Sequence, residues 1–450
     1  MRFGERRDII SQNRRYTVYS LLVIPIMGML LFPGTFFTVD SQRNFVLANE
    51  KISVNSSKII PPAITISNGK ILSRALWLDP SLLAQTKEAV NRGASNPILI
   101  TAMDQLISQA NYFLSLRPTS VIEKVEVPAS GDKHDFLSLA PYRWPDPEQS
   151  DGLPYKNIDG KLNPEVYSIP DKRNMDDMVY RVKILSLAYY FTHNPQYASK
   201  AGDLLRVWFL NNRTSMNPNL QYAEVVRGEN NNNGTMRGIL HGKYLPDLID
   251  AIRLLPSQFW SKQDQQGMEL WFSKYLDWLL NSDHGKEERN NLNNHGTWYR
   301  VQASAIALFL NKTALAKSLL QDVGDKLVRE QIEPSGALSR EIVRRNALDY
   351  STFNVLGLFR LASIGEHFGI DLWNYTTPNG AGLQKALDYL LPSLLGKETW
   401  PHQQFKLIDR KNMVDLLCRA ALHYQMNQTY MQACKSASAK DINAALSHPP

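Results

Sequence analysis

Apolar residues recur at the spacing of an α-helix along most of this 450-residue chain. One run starts at Met178 and continues through Val182, Leu185 and Tyr189, at intervals of three or four residues. This spacing places the apolar side chains on one face of a helix. No segment sustains the alternation typical of a strand, and no glycine-rich phosphate loop is present. The pattern predicts an all-α fold of stacked antiparallel helix hairpins, either an open solenoid or a closed (α/α) toroid.

The composition is that of a globular protein, with 43% apolar and 21% charged residues. The formal net charge is +7, and it is unevenly distributed. The arm before Asp40 carries five arginines and two acidic residues, a net charge of +3, which leaves about +4 for the rest. This bias is compatible with an anionic ligand and too weak to indicate nucleic-acid binding.

The N-terminal region contains a targeting signal. Residues 16–39 are uncharged and strongly apolar, and Arg14 and Arg15 precede them. A basic segment followed by an apolar one directs a chain to a membrane, and this one is long enough to span it. We expect an exported protein that is periplasmic, secreted or anchored by residues 16–39. The segment is either a signal peptide or an anchor, residues 40–77 form a linker, and residues 78–450 form the toroid.

Two cysteines, Cys418 and Cys434, lie near the C-terminus. A turn near residues 426–428 would produce a helical hairpin in which they form a disulfide, but two free buried thiols fit the sequence equally well. Two cysteines alone do not make a zinc site. We expect neither a metal nor another cofactor.

Residues 125–172 differ from the helical remainder because they are rich in proline and aromatic residues. Proline at this density forbids a continuous helix. The aromatic residues either pin a long loop onto the core or offer flat faces to sugar rings. We predict that residues 132–155, with Tyr142, Arg143 and Trp144, line a cleft.

Two polar clusters stand where apolar helices are predicted to begin. The first contains Asn294 and His295, and the second contains Arg344 and Tyr350. An Asn at such a position is often only a helix cap. However, two clusters with groups of differing pKa would also suit the two sides of a cleft. The acidic pairs Asp176–Asp177 and Glu287–Glu288 are interpreted as solvated helix faces.

This set of side chains suits removal of the C5 proton of a uronic acid. The neighbouring carboxylate is already anionic and gains further charge as the proton leaves, so hydrogen bonds and positive charge there stabilise the transition state. A base takes the proton. The ordinary pKa of a Tyr side chain is about 10, and the positive charge of an adjacent Arg or protonated His favours the phenolate.

Three stretches, in this order, resemble the alginate-lyase-type polysaccharide lyases. They are residues 134–147 with Tyr155, residues 293–299, and Glu341-x-x-Arg344 followed by residues 350–354. The resemblance covers about residues 80–405. It implies an α/α toroid in a single catalytic domain that cleaves uronate polymers by β-elimination. From the length of the sequence we expect no C-terminal β-sandwich of the kind that longer relatives carry.

The resemblance also implies roles for individual residues. Asn294 and His295 would neutralise or approach the substrate carboxylate, with His295 as an alternative base for one C5 epimer. Arg344 would stabilise the charge, and Tyr350 would act as base, as acid or as both. Predicted substrate-binding residues are His134, Tyr142, Arg143, Trp144, Tyr222, Arg237, His241 and Trp298. Arg143 replaces an aromatic residue that is more usual in the family, which places the identity of the substrate in question.

The sequence therefore predicts a polysaccharide lyase acting on a 1,4-linked uronate polymer of the alginate or glucuronan type. Two alternatives remain at this point: a non-catalytic carbohydrate-binding toroid and a toroidal glycoside hydrolase. The expected partner is an anionic polysaccharide or oligosaccharide, with no nucleic acid. Contact with a membrane is expected only through the N-terminal segment.

Overall fold

The computed structural model describes residues 76–93, 97–424 and 426–447. The predicted export segment 16–39 lies outside these residues, as does nearly all of the predicted linker. Among the described residues, no helix combines the length and the apolar character needed to cross a bilayer.

The described residues form fourteen α-helices and four short strands. The helices are α1 (Pro80–Asn91), α2 (Pro97–Ser115), α3 (Asp171–Thr192), α4 (Pro195–Leu205), α5 (Asp247–Arg253), α6 (Lys262–Asn281), α7 (Asp283–Arg289), α8 (Asn294–Phe309), α9 (Thr313–Gln321), α10 (Arg329–Gln331), α11 (Ala347–Glu366), α12 (Leu383–Leu394), α13 (Arg410–His423) and α14 (Gln428–Ser447). A 3-10 helix, Met236–Tyr244, precedes α5. The all-α prediction is confirmed.

Consecutive helices pack in pairs, such as α3 with α4 and α13 with α14. Contacts also run from α8 to α11 and from α11 to α13. Both α8 and α11 are buried along nearly their whole length, because helices and loops cover them on all sides. These two helices therefore give the site a rigid base, which matters because each begins at one of the predicted polar clusters.

The four strands are β1 (Leu137–Leu139), β2 (Arg143–Trp144), β3 (Lys156–Asn157) and β4 (Tyr222–Val225). They form two two-stranded sheets. β1 pairs in parallel with β4, and β2 pairs antiparallel with β3. The first sheet joins the proline-rich loop to the segment before the 3-10 helix, and the second is a hairpin within that loop. Together they hold the loop against the helices.

Buried ion pairs connect the helices. Arg360 of α11 contacts Asp247 of α5 at 2.7 Å and Asp415 of α13 at 3.0 Å. Lys183 of α3 reaches the other oxygen of Asp247 at 2.6 Å. We call these four residues the core ion network, and they link four helices through fully paired charges.

A disulfide links Cys418 of α13 to Cys434 of α14. The first of these helices ends at His423 and the second begins at Gln428, so the chain turns between them as the sequence suggested. Of the two possibilities left open by the sequence, the structure contains the disulfide.

Candidate active site

A cavity of about 1070 Å³ opens among α3, α8, α11, α13, the 3-10 helix and the β2–β3 hairpin. This volume is at the upper end of the ~300–1,000 Å³ range of small-molecule sites. Seven of the twelve predicted site residues line it: Tyr142, Arg143, Arg237, His241, His295, Arg344 and Tyr350. The two polar clusters therefore do meet in one cavity.

His295 lies in the first turn of α8, whose N-cap is Asn293. Its Nδ1–H donates to Oε1 of Glu288 at 2.6 Å. The Glu288 side chain has no exposed surface. Burial lowers the pKa of His295, but the adjacent Glu288 carboxylate outweighs this, and the pKa is raised above its ordinary value. The Glu288 carboxylate therefore favours the imidazolium form of His295, whose Nε2 is available to a ligand.

The glycine after His295 is required by close packing. A Cβ at Gly296 would lie 1.8 Å from the carbonyl oxygen of Asn291. The segment between α7 and α8 therefore runs directly against the start of α8, and this close approach keeps Glu288 beside His295.

Asn294 does not line the cavity, contrary to the prediction that it would approach the substrate carboxylate. It is 1% exposed, and its Nδ2 donates to both carboxylate oxygens of Glu341, at 2.9 and 3.1 Å. Its backbone N–H donates to the same carboxylate at 2.7 Å. Burial raises the pKa of Glu341. In the absence of substrate, the role of Asn294 is to satisfy this buried carboxyl group.

Glu341 in turn connects the two clusters. Its backbone carbonyl accepts a hydrogen bond from the Arg344 N–H at 3.0 Å. Asn354 of α11 donates to its side chain at 3.2 Å. The start of α8, the Arg344 segment and α11 are thus joined through one buried side chain, which fixes Arg344 relative to His295.

Tyr350 lies in the first turn of α11, beside Arg344. The Arg344 guanidinium is 4.0 Å from the centre of the Tyr350 ring and forms an ion pair with Asp159 at 2.9 Å. The hydroxyl groups of Tyr350 and Tyr142 are 3.1 Å apart. The predicted cleft-lining role of the proline-rich loop therefore holds for Tyr142.

The pKa of Tyr350 lies well above its ordinary value, mainly because the ring is buried, with a further contribution from Tyr142. The positive charge of Arg344 acts in the opposite direction but is the smaller effect. The charge of Arg344 therefore favours the phenolate as expected, but burial outweighs it in the ligand-free protein. The resting form of Tyr350 is the neutral phenol.

His241 and Glu224 form another contact in the cavity, with Nε2 and Oε1 3.8 Å apart. Burial lowers the pKa of His241 far below its ordinary value, and Lys172 and Lys243 add to this, so the imidazole is neutral. Glu224 adopts φ 55°, an uncommon value for a residue other than glycine. Ser138 Oγ accepts its backbone N–H at 2.9 Å.

Four predicted substrate-binding residues lie away from the cavity lining. Trp298 has no exposed surface and stacks on Phe353, with ring centres 4.7 Å apart. His134 Nδ1 bonds the Ser215 carbonyl, and the Trp144 indole N–H donates to the Lys161 carbonyl. Tyr222 packs on the small apolar cluster of β1 and β4. Each of these aromatic residues is used for packing or for anchoring a loop.

The sequence interpretation missed the acidic members of the site. Glu287 is exposed as predicted, but Glu288 is buried beside His295. Asp176 and Asp177 line the cavity and do not form a fully solvated face. The separation of seven residues between Glu288 and His295 corresponds to about two helical turns. It does not show that α7 and α8 meet at a close turn.

The family model for alginate lyase matches residues 120–400. A crystal structure of an alginate lyase from Bacteroides ovatus is 36% identical to this chain, with a TM-score of 0.74. That match covers 79% of this chain and 93% of the other. Alginate lyase A1-III from Sphingomonas species A1 is 15% identical over 72% of this chain and 88% of its own, with a TM-score of 0.42, which is too low to support any argument. No curated protein sequence matches significantly.

The fold and its similarities define a polysaccharide lyase of the helical toroid type, and they confirm the predicted fold class. The family match spans more than half of the chain and contains most of the elements that line the cavity, while α13 lies beyond it. The chain belongs to the alginate lyase family.

Proposed function

We propose that this lyase depolymerises a 1,4-linked uronate polymer of the alginate or glucuronan type by β-elimination. The observation that carries the proposal is the meeting of His295, Arg344 and Tyr350 in one cavity. The three groups supply an imidazolium, a guanidinium and a phenol, which are the charge stabilisers and the proton carrier that the reaction requires.

The substrate carboxylate is placed between His295 and Arg344. The imidazolium of His295 donates from Nε2, and Glu288 keeps it protonated. Arg344 is already paired with Asp159, whose side chain is 37% exposed, so that a carboxylate can share or replace this partner. Both cations act where charge accumulates as the C5 proton leaves.

Tyr350 moves the proton. Its phenolate takes the C5 proton, the electrons of the C5–H bond form the C4–C5 double bond, and the C4–O4 bond breaks. The proton now on Tyr350 passes to O4, which leaves as a hydroxyl group and restores the phenolate. The Tyr142 hydroxyl, 3.1 Å away, donates to the phenolate oxygen while it is charged.

Because burial raises the pKa of Tyr350, its phenolate is a minor form at neutral pH. The rate therefore depends on how much phenolate is present, and we expect it to rise with pH in the neutral range. The rise ends where His295 begins to lose its proton, because beyond that pH the gain in phenolate is offset by the loss of positive charge from the carboxylate site.

Asn294 supports the site by positioning. It orders Glu341, and through Glu341 the segment that carries Arg344. Arg143, Arg237 and His241 line the cavity beyond the reacting groups, where they are available to hydroxyl and carboxylate groups of the polymer.

The place of action is proposed to be outside the cytoplasm. Residues 16–39 have the character of an export signal or anchor. The disulfide between Cys418 and Cys434 supports this, because such bonds persist mainly in oxidising compartments. Fractionation with an antibody to the domain tests it, and a cytoplasmic protein with an intact N-terminus would contradict it.

The substrate is tested with a panel of polymannuronate, polyguluronate, glucuronan and a neutral polysaccharide. Ultraviolet absorbance measures the unsaturated uronate, and a reducing-sugar assay measures new chain ends. We expect one chromophore for each new end on at least one polyuronate and neither signal on the neutral polymer. New ends without absorbance would indicate a hydrolase, and binding without cleavage would indicate a carbohydrate-binding protein.

A further inference from the structure

A second group of positive charges lies in the cavity and has no part in the proposed proton transfer. Lys243 lies in the last turn of the 3-10 helix, and Lys411 lies in the first turn of α13. Their Nζ atoms lie 4.3 and 4.5 Å from the centre of the Tyr244 ring, and all three side chains line the cavity. Two separate elements thus bring two ammonium groups to one aromatic ring.

Within the part of the chain that the structure describes, neither ammonium group has an ion-pair partner or a hydrogen-bond acceptor. The nearby carboxylates are engaged elsewhere. Asp176 pairs with Lys172 at 2.8 Å, and Asp247 belongs to the core ion network, where Lys183 holds it at 2.6 Å. Asp409 caps α13 by accepting backbone N–H groups at its start. Among the described residues, the two lysines therefore have no direct ion-pair partner, and Asp176, Asp247 and Asp409 offset their charge only from a distance.

The electrostatic cost of this arrangement is visible in their titration. The pKa of Lys243 is lowered to about 8, first by burial and further by the charges of Lys172 and Lys411, while Asp176 and Asp409 act in the opposite direction. The pKa of Lys411 is also lowered, first by burial and then by Lys183. An anion that entered between these groups would replace lost hydration and reduce their mutual repulsion. The pair is thus arranged to gain from a negatively charged ligand.

This pair is connected to the reacting groups. The backbone N–H of Asp409, two residues before Lys411, donates to Oδ1 of Asp349 at 2.7 Å. Asp349 immediately precedes Tyr350 on α11. The start of α13 is thereby tied to the start of α11, so the lysine pair and Tyr350 belong to neighbouring parts of the same cavity.

We propose that Lys243 and Lys411 bind the carboxylate of a second uronate residue in the chain that is being cleaved. The inference rests on the proposed function, because it takes the polymer to be a polyuronate. The inference adds one requirement to the proposed function: the enzyme also recognises a carboxylate beyond the one at the reacting residue. A polymer with a carboxylate on every residue satisfies both sites.

The test measures KM and kcat on a homopolymeric oligouronate for Lys243→Gln, Lys411→Gln and the double variant. Lys274→Gln is the matched control, because Lys274 is exposed on α6 and does not line the cavity. Loss of a hydrogen bond to a charged group should raise KM about 10-fold for each lysine. The kcat should stay within about threefold, since the proton-transfer groups are intact. A KM for the double variant within twofold of Lys274→Gln would overturn the proposal.

A binding arm keeps the two proposals separable. Calorimetry measures the affinity of a saturated oligouronate, with a neutral oligosaccharide of equal length as the control ligand. We expect wild type to bind the oligouronate more tightly than the double variant does, and both to bind the neutral ligand equally weakly. If wild type cleaves no polyuronate, the proposed function fails, while this affinity difference still decides the lysine site. Equal oligouronate affinities would reject the lysine site even when cleavage is observed.

Protein stability supplies the folding control. Glutamine removes buried positive charges that lack an ion-pair partner among the described residues. The unfolding free energy of each variant should therefore equal or exceed that of wild type. A variant that nevertheless unfolds is replaced by Lys243→Met or Lys411→Met, for which the same change in KM and in oligouronate affinity is expected. A retained wild-type affinity in these folded variants would count against the proposal.

Discussion

The core ion network and the cavity contain similar charged groups but arrange them differently. In the network, Arg360 has carboxylates on two sides, and Asp247 has cations on two sides. In the cavity, one ring nitrogen of His295 bonds Glu288 and, within the part of the chain that the structure describes, the other is free. Lys243 has no ion-pair partner among the described residues and lies over the Tyr244 ring. In the network, each charge has an opposite charge beside it. In the cavity, the cations have open sides where only an anionic ligand can supply the opposite charge.

This difference separates structural charge from functional charge. A buried ion pair contributes little net stability, yet removing one partner is costly because the other remains buried and unpaired. A cation that faces the cavity without an ion-pair partner behaves differently. Its removal costs little stability but lowers the affinity for an anionic ligand. Substitutions in the two regions should therefore affect different measurements, and each prediction below tests that separation.

The largest expected effect is on turnover. Tyr350→Phe removes the hydroxyl that carries the proton and keeps the ring under Arg344. The kcat should fall by about 10²–10⁴-fold, the usual contribution of a proton-transfer group. The unfolding free energy should change by less than about 1 kcal/mol, because the lost hydroxyl bonds only Tyr142.

Tyr155→Phe is the control for that substitution. The Tyr155 hydroxyl donates to Glu165 at 2.9 Å and does not line the cavity, so kcat should stay near wild type. Near-normal turnover in Tyr350→Phe, or an equal loss in both variants, would show that the phenol of Tyr350 does not carry the proton.

The second effect is on stability. Arg360→Met leaves Asp247 and Asp415 buried without their shared cation. The unfolding free energy measured with denaturant should fall by about 3–5 kcal/mol. Arg329→Met, at an exposed pair with Asp325, should cost less than about 1 kcal/mol. An Arg360→Met protein as stable as wild type but poorly active would contradict the structural role of the network.

The smallest effect is a shift in pH dependence. Glu288→Gln keeps the hydrogen bond to His295 but removes the charge that raises its pKa. The pKa of His295 should fall, so the acid limb of kcat/KM should reach its plateau at lower pH. Glu287→Gln, at the exposed neighbour, should leave the limb in place. A shift to higher pH in Glu288→Gln would reverse the proposed electrostatics.

The sequence allowed the helices and both polar clusters to be predicted because those features are local. Helical spacing is set by side chains a few residues apart, and Asn294 and His295 stand at a helix start in sequence as in structure. The family motifs added the pairing of His295 with Tyr350, which periodicity alone does not provide.

The remaining features depend on contacts between distant residues. Asn294 and Glu341 are 47 positions apart, and no local sequence pattern shows that the Asn294 amide donates its hydrogen bonds to the Glu341 carboxylate. Trp298 and Trp144 are of a residue type that often binds sugar rings. In the folded chain, however, Trp298 stacks on Phe353 and Trp144 bonds the Lys161 carbonyl. The raised pKa of Tyr350 follows from burial, which is a property of the folded chain.

The central claim is that Tyr350 takes the C5 proton as a phenolate. The most direct measurement is the pH dependence of kcat/KM for protein with 3-fluorotyrosine in place of Tyr350, compared with wild type on the same polyuronate. Fluorine withdraws electron density and lowers the pKa of a phenol while nearly preserving its shape. The account predicts that the acid limb moves to lower pH. An acid limb at the same pH in both proteins would mean that another group is the base.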